Sequence, residues 1–151
     1  MSRVYFSLER YGFEEVDQEY LEFIFKVANL LAKQHLENEI GVAVIGAEAM
    51  RKLNREYRGQ DQPTNVLSFA YAPSQEEDFL APEERQFYLG DIYICYDEVV
   101  REANETGVGE KEVFVRLLVH GILHLFGFDH KTKTGEERME DLESKILSLV
   151  L

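Results

Sequence analysis

The chain has 151 residues, of which 45% are hydrophobic and 30% are charged, and this composition excludes a disordered or fibrous protein. Its 29 acidic residues outnumber its 16 basic residues and give a net charge of −13, which excludes a general electrostatic attraction to nucleic acid or to an anionic membrane. No apolar run approaches the roughly 20 residues of a membrane-spanning helix, and we do not expect the charged N-terminus to act as a secretory signal. The single cysteine fits a reducing cytoplasm, where we expect the protein to act.

Apolar periodicity along the chain predicts four strands and about five helices. The strands are expected at residues 4–8, 39–46, 66–71 and 88–94. The helices are expected after Asp17 and at residues 48–57, 96–106, 110–126 and 136–150, the last with Met139, Leu142, Ile146 and Leu149 facing inward. The acidic, proline-containing segment 72–85 is expected to form a loop. Because helices separate the early strands, we expect mostly parallel neighbours in one mixed α+β or α/β domain over residues 1–151.

Three of the four histidines lie within eleven residues, in the segment HGILHLFGFDH. His120 and His124 are four residues apart and therefore share one face of a helix. On a continuous helix, His130 would lie about 9 Å further along the axis than His124 and would be rotated about 240° from it around the axis. We expect Gly127 to end the helix in a left-handed conformation and to return His130 toward the other two. Three imidazoles leave a fourth position for water, which is typical of a catalytic zinc site, so we predict one Zn²⁺ per chain.

The histidine spacing is that of the metzincin proteases, HExxHxxGxxH, with one departure. The glutamate general base of those enzymes follows the first histidine, and here that position is Gly121. A glycine inside a helix costs about 1 kcal/mol relative to alanine, and we interpret it as room for a bulky substrate beside the metal. A peptidase or amide hydrolase with another base remains an alternative.

The segment HGILHLFGFDH resembles the HGxLHLxGYDH signature of the YbeY family, which are bacterial metal-dependent endoribonucleases, with Phe128 in place of the usual tyrosine. YRGQDQPTNVLSF at residues 57–69 and LGDIYI at residues 89–94 resemble two further blocks of that family, in the same order. The resemblance implies a zincin-like α+β fold, zinc on the three histidines and a catalytically important arginine at Arg58. It also implies cleavage of single-stranded RNA in the 3′-end maturation of small-subunit rRNA and in ribosome quality control. Ribosomal subunits or an assembly GTPase are the partners that it implies. An alternative within this resemblance is a non-catalytic ribosome-assembly factor whose zinc is structural and whose fold is lost with the metal.

Arg58 belongs to the one basic cluster of the acidic chain, which also contains Arg51, Lys52 and Arg55. An arginine fork matches the geometry of a phosphate and stabilises charge that grows in a transition state. Whether the attacking oxygen comes from water or from the RNA 2′-hydroxyl stays open.

Other polar residues are candidates for supporting roles. Arg116 precedes His120 by one helical turn and is a candidate for the substrate groove, as are Asn65 and Ser68 on the neighbouring strand. Asp129 and Asp91 are candidate carboxylate partners of the histidine rings, because ligating histidines usually donate their second N–H to a carboxylate or a carbonyl.

Overall fold

The computed structural model describes residues 2–7, 11–71 and 87–151. Its four strands are β1 (Arg3–Ser7), β2 (Glu39–Ile45), β3 (Val66–Ala70) and β4 (Tyr88–Cys95). Its five helices are α1 (Gln18–Leu31), α2 (Ala47–Arg58), α3 (Tyr96–Thr106), α4 (Glu110–Leu125) and α5 (Lys133–Val150). The predicted α+β class, with a mostly parallel sheet of four strands and five helices, is confirmed for the described part of the chain. The loop predicted at residues 72–85 lies outside it.

The sheet has the strand order β1-β2-β4-β3. β2 is parallel to both β1 and β4, whereas β3 is antiparallel to β4. The parallel pairing of β1 with β2 across α1 is confirmed, but the expectation of parallel neighbours is wrong for β2 and β3. Ile92 and Ile94 of β4 are fully buried, and this strand takes the central position next to β2. β3 is left at the edge of the sheet.

One face of the sheet packs against α4, which contacts β3, β4, α1, α3 and α5. The buried residues of α4 include Phe114, Leu118 and Ile122, and the histidines are not among them. On the opposite face, α2 contributes Met50 to a small cluster with buried residues of β3 and β4. None of the helices in the described ranges is both long and apolar enough to cross a membrane.

Gly121 brings α4 close to the sheet. A Cβ atom at this position would lie 2.9 Å from Cγ2 of Ile92 and 3.0 Å from the hydroxyl of Ser68. Both distances are shorter than ordinary van der Waals contacts, so only glycine permits this approach. The interpretation of Gly121 as room for a substrate is therefore wrong, because the space is taken by the sheet.

The last helix, α5, packs against the core through three of the four residues predicted to face inward, because Met139 and Ile146 are buried and Leu142 is partly buried. It begins at Lys133 after Thr132, whose hydroxyl accepts a hydrogen bond from the backbone N–H of Gly135 at 2.9 Å. Met139, Ile146 and Val150 are its buried residues, whereas Leu149, which was predicted to face inward, is 59% exposed. The inward face therefore includes positions 139, 142, 143, 146 and 150, and Glu143 lies on it.

Candidate metal centre and groove

The three clustered histidines come together at the C-terminal end of α4. The Nε2 atoms of His120 and His124 are 3.0 Å apart, and one ring nitrogen from each of the three histidines lies within 4.8 Å of the others. Ligand nitrogens around a tetrahedral zinc are about 3.3 Å apart, because each Zn–N bond is about 2.0–2.1 Å long. His130 is exposed on the return turn, so its ring can rotate to close the remaining gap. The donor set therefore fits zinc.

Gly127 makes the return of His130 possible. Its φ of +99° lies in the region that favours glycine, as the sequence predicted. Its N–H donates to the carbonyl of His124 at 3.0 Å, and the N–H of Phe128 donates to the carbonyl of Leu123 at 3.0 Å. These bonds close the last turn of α4 and satisfy two of its terminal carbonyls. The turn thus fixes the direction of the chain from His124 to His130.

Burial lowers the pKa of His124 below its ordinary value, and the nearby His120 and His130 rings lower this pKa further. A lowered pKa keeps the imidazole neutral near physiological pH. Neutral imidazole is the form that binds a metal ion.

The carboxylate that contacts a histidine is one that the sequence analysis missed. Oε1 of Glu143, on α5, lies 2.8 Å from Nδ1 of His120. The sequence signal that could have identified Glu143 is its spacing. It lies four residues after Met139 and three before Ile146, so it is an acidic residue on the same helix face as these two buried residues.

The two carboxylates proposed from the sequence lie elsewhere. Asp129 accepts a hydrogen bond from the backbone N–H of Lys131 at 2.9 Å, within its own turn. The carboxylate of Asp91 accepts from the hydroxyl of Tyr88. Its neighbour Ile92 points toward α4, and successive side chains alternate along a strand, so Asp91 points to the opposite face of the sheet. Neither carboxylate hydrogen-bonds to one of the three histidines.

A groove of about 520 Å³ runs beside His120 and His124 along the edge strand β3. Its lining residues are Arg58, Thr64, Asn65, Val66, Leu67, Ser68, Ala70, His120, His124 and Leu125. In a chain with 29 acidic residues, none of the described residues of this lining is acidic, and Arg58 is its one formal charge. The hydroxyl of Ser68 also donates to the carbonyl of Gly121 at 3.3 Å. The groove is therefore suited to an anionic group.

A second cavity, of about 330 Å³, adjoins the groove on the other side of His120. The two share Asn65, Val66 and His120 as lining residues. Arg116 lines the second cavity, with its guanidinium 3.6 Å from a carboxylate oxygen of Glu102. The structure therefore places Arg58 and Arg116 in adjoining cavities that meet at His120.

Comparison with known proteins identifies the family to which this chain belongs. Residues 7–150 match the family described as Endoribonuclease YbeY. Curated proteins of that name from Halorhodospira halophila, Alkalilimnicola ehrlichii and Rhodospirillum rubrum are 44%, 44% and 42% identical over 73%, 72% and 72% of this chain. The aligned parts span 69%, 63% and 54% of those relatives. A Thermotoga maritima protein with a known solution structure is 28% identical, with a TM-score of 0.60 over 99% of this chain and 89% of its own. The chain therefore belongs to the endoribonuclease YbeY family, a family of nucleases.

Proposed function

We propose that this protein is a zinc-dependent endoribonuclease that cleaves single-stranded RNA. The observation that carries the proposal is a cluster of three histidines beside a groove whose one charged lining residue, among those described, is Arg58. The proposed substrate is the 3′ end of small-subunit rRNA, in maturation and in ribosome quality control. Ribosomal subunits or an assembly GTPase are the proposed partners. This work takes place in the cytoplasm, a reducing compartment that the single cysteine fits.

Each part of the groove has a chemical task in this reaction. His120, His124 and His130 would hold the zinc ion, which would supply Lewis acidity to the reaction. Arg58 offers a planar fork of N–H donors to the scissile phosphate and stabilises the negative charge that grows on its oxygens. The side chain of Asn65 is exposed between the two cavities and is placed to hold the strand by hydrogen bonds.

The second cavity extends the binding path beyond the scissile phosphate. A strand held by Arg58 on one side of His120 passes into the cavity of Arg116 on the other side. Arg116 then binds a neighbouring phosphate in place of its long contact with Glu102. Arg58 thereby provides the local attraction for RNA in a chain that is acidic as a whole, whereas Glu102 and Glu143 line the second cavity together with Arg116 and oppose part of its attraction.

A peptidase is the less suitable alternative for this groove. The glutamate base of the related proteases is replaced by Gly121, which is buried against the sheet. No carboxylate lines the groove within the described ranges, and Glu143 is already hydrogen-bonded to His120. Arg58 suits a phosphate better than a peptide carbonyl, because its planar fork of N–H donors matches two phosphate oxygens.

The proposal is tested with the purified protein on three substrates: a single-stranded RNA with the 3′-end sequence of small-subunit rRNA, the same RNA in a duplex, and casein. Each is incubated with the zinc-loaded protein, with the protein after chelation, and after zinc is added back. We expect cleavage of the single strand only, loss with the chelator and recovery with zinc. A His124→Ala variant controls for contaminating nucleases and should be inactive. Cleavage of casein with inert RNA would establish the peptidase instead, and no cleavage of any substrate would contradict both enzymes.

A further inference from the structure

We infer that Glu143 is a positioning residue that fixes the protonation and orientation of the His120 ring toward the metal. This inference rests on the proposed zinc site. Oε1 of Glu143 lies 2.8 Å from Nδ1 of His120. With the carboxylate oxygen as the acceptor of this hydrogen bond, Nδ1 of His120 is the donor and carries the proton. The lone pair is then on Nε2, the atom that faces Nε2 of His124 at 3.0 Å.

The position of Glu143 in α5 has no explanation without the histidine. Met139 and Ile146, on either side along the same helix face, are fully buried, and the Glu143 side chain is 24% exposed. A carboxylate that is partly removed from water loses hydration and requires a polar partner. Among the described residues no lysine or arginine forms an ion pair with Glu143, and its one hydrogen bond is to His120. The contact with His120 is therefore the interaction that compensates for its burial.

Glu143 also makes the last helix a part of the metal centre. His120 and His124 come from α4, and His130 comes from the turn that follows. The carboxylate reaches the cluster from α5, which is packed on α4 through its buried residues. A ring that is hydrogen-bonded at Nδ1 no longer rotates freely, and the negative charge behind it makes Nε2 a stronger donor to a cation.

The test measures zinc affinity in three variants by competition with a chromophoric chelator. In Glu143→Ala the dissociation constant for zinc should rise about 10- to 100-fold, the usual effect of losing such a partner. Glu143→Gln keeps an oxygen that accepts from Nδ1 and should show a smaller rise. Glu140→Ala, an exposed glutamate of the same helix, is the matched control and should bind zinc as the parent does. Thermal melts of the metal-free proteins check that each variant is folded.

A second measurement does not depend on zinc binding. Nitrogen-15 NMR of the metal-free parent should show His120 in the tautomer with the proton on Nδ1, and Glu143→Ala should show a mixture of both tautomers. The opposite tautomer in the parent would overturn the inference, as would a zinc affinity of Glu143→Ala equal to that of Glu140→Ala. If the parent itself binds no zinc, the proposed function fails as well. Unchanged affinity in Glu143→Ala, with zinc binding by the parent intact, removes only the role of Glu143.

Discussion

Arg51, Arg55 and Arg58 lie within two turns of α2, but their surroundings differ. Arg51 donates two hydrogen bonds to the carboxylate of Asp61, at 2.9 and 3.1 Å, and Arg55 approaches the same carboxylate at 3.8 Å. The hydrogen bond from Arg51 lowers the pKa of Asp61, which therefore stays charged and keeps both arginines occupied. Arg58 has no carboxylate partner in the part of the chain that the structure describes and lines the groove. Among these three arginines, Arg58 is therefore the one whose guanidinium is available to a phosphate.

We expect Arg58→Ala to retain zinc and to melt within a few degrees of the parent, because an exposed arginine contributes little to stability. RNA cleavage should fall about 10²-fold or more, the effect of removing one donor that acts in the transition state. Arg58→Lys should recover only part of the rate, since an ammonium lacks the bidentate fork. Arg55→Ala is the matched control in single-turnover assays. Full activity of a folded, zinc-loaded Arg58→Ala would remove Arg58 from the mechanism.

Arg116 should act on binding rather than on the chemical step. With metal-free protein and single-stranded RNA, Arg116→Ala should weaken binding and reduce the slope of log K against log salt by about 0.7, as expected for one lost phosphate contact. Arg101→Ala is the control, because Arg101 is exposed and already paired with Glu98 and Glu105. Fluorescence anisotropy at four salt concentrations measures the slope. An identical slope in both variants would place the strand outside the second cavity.

At the scale of elements, α4 and the turn after it form one unit in which two glycines have different roles. Gly121 is needed because α4 approaches Ile92 and Ser68 of the sheet, although its own backbone is helical. Gly127 is needed because of its φ of +99°, and no atom lies within 4 Å of where its Cβ would be. Substitution therefore causes a steric clash at Gly121 and backbone strain at Gly127.

Gly127→Val should weaken zinc binding although no ligand changes. A β-branched residue at positive φ is strained, at a cost of about 1–3 kcal/mol, and relief of that strain moves His130 away from the cluster. We expect a rise in the zinc dissociation constant on the order of tenfold, measured by chelator competition. Gly107→Val is the matched control, because Gly107 ends α3 at φ +76° with nothing within 4 Å of its Cβ position. Equal zinc affinity in both variants would show that the turn does not position His130.

Gly121→Ala should destabilise the fold. Ile92 is fully buried and β-branched, so it cannot rotate away from a methyl group 2.9 Å from its Cγ2. Overpacking of this kind costs about 1–3 kcal/mol, which is expected to exceed the gain of about 1 kcal/mol from placing alanine in a helix. The melting temperature should therefore fall by a few degrees in calorimetry. Gly109→Ala, at the start of α4 with nothing within 4 Å, is the control. A rise in melting temperature of Gly121→Ala would show that the sheet can move away.

At the scale of the whole molecule, the metal centre lies outside the hydrophobic core. The main core includes residues from β1, β2, β4 and the helices α1, α3, α4 and α5, among them Phe25, Ile40, Ile92 and Phe114, and none of the three histidines belongs to it. His120 and His124 are half-buried and His130 is exposed. The fold is therefore held by apolar packing that does not involve the metal ligands.

Removal of zinc should leave the fold largely intact. After chelation, far-UV circular dichroism should be unchanged and unfolding should stay cooperative. The melting temperature should fall only because the folded state loses the stabilisation that zinc binding gives it. A structural zinc predicts the opposite result, because its binding free energy is part of the folding free energy. Loss of the circular dichroism signal on chelation would favour the non-catalytic assembly factor over the nuclease.

Local features of this protein were predictable because they depend on few neighbouring residues. The helical period places His120 and His124 on one face, and the absence of a side chain lets Gly127 take the φ of +99° that brings back His130. The capping of α1 by Asp17, whose carboxylate accepts from the N–H of Tyr20, is equally local. The clustering of the three histidines and the elements that carry them follow from such short-range geometry.

Packing between residues that are distant in sequence decided the strand order, the need for glycine at position 121 and the carboxylate partner of His120. The position of β3 at the sheet edge depends on which strand buries its side chains best, and local periodicity is the same for either order. Gly121 needs no side chain because of Ile92 and Ser68, which are distant in sequence. The packing of α5 on α4 exposes Leu149, buries Val150 and brings Glu143 to His120. Glu143, which is 23 residues from His120 in the sequence, therefore takes the place that was expected for Asp129 or Asp91. The partner of a side chain across a helix interface is set by the packing of the two helices and not by proximity in the chain.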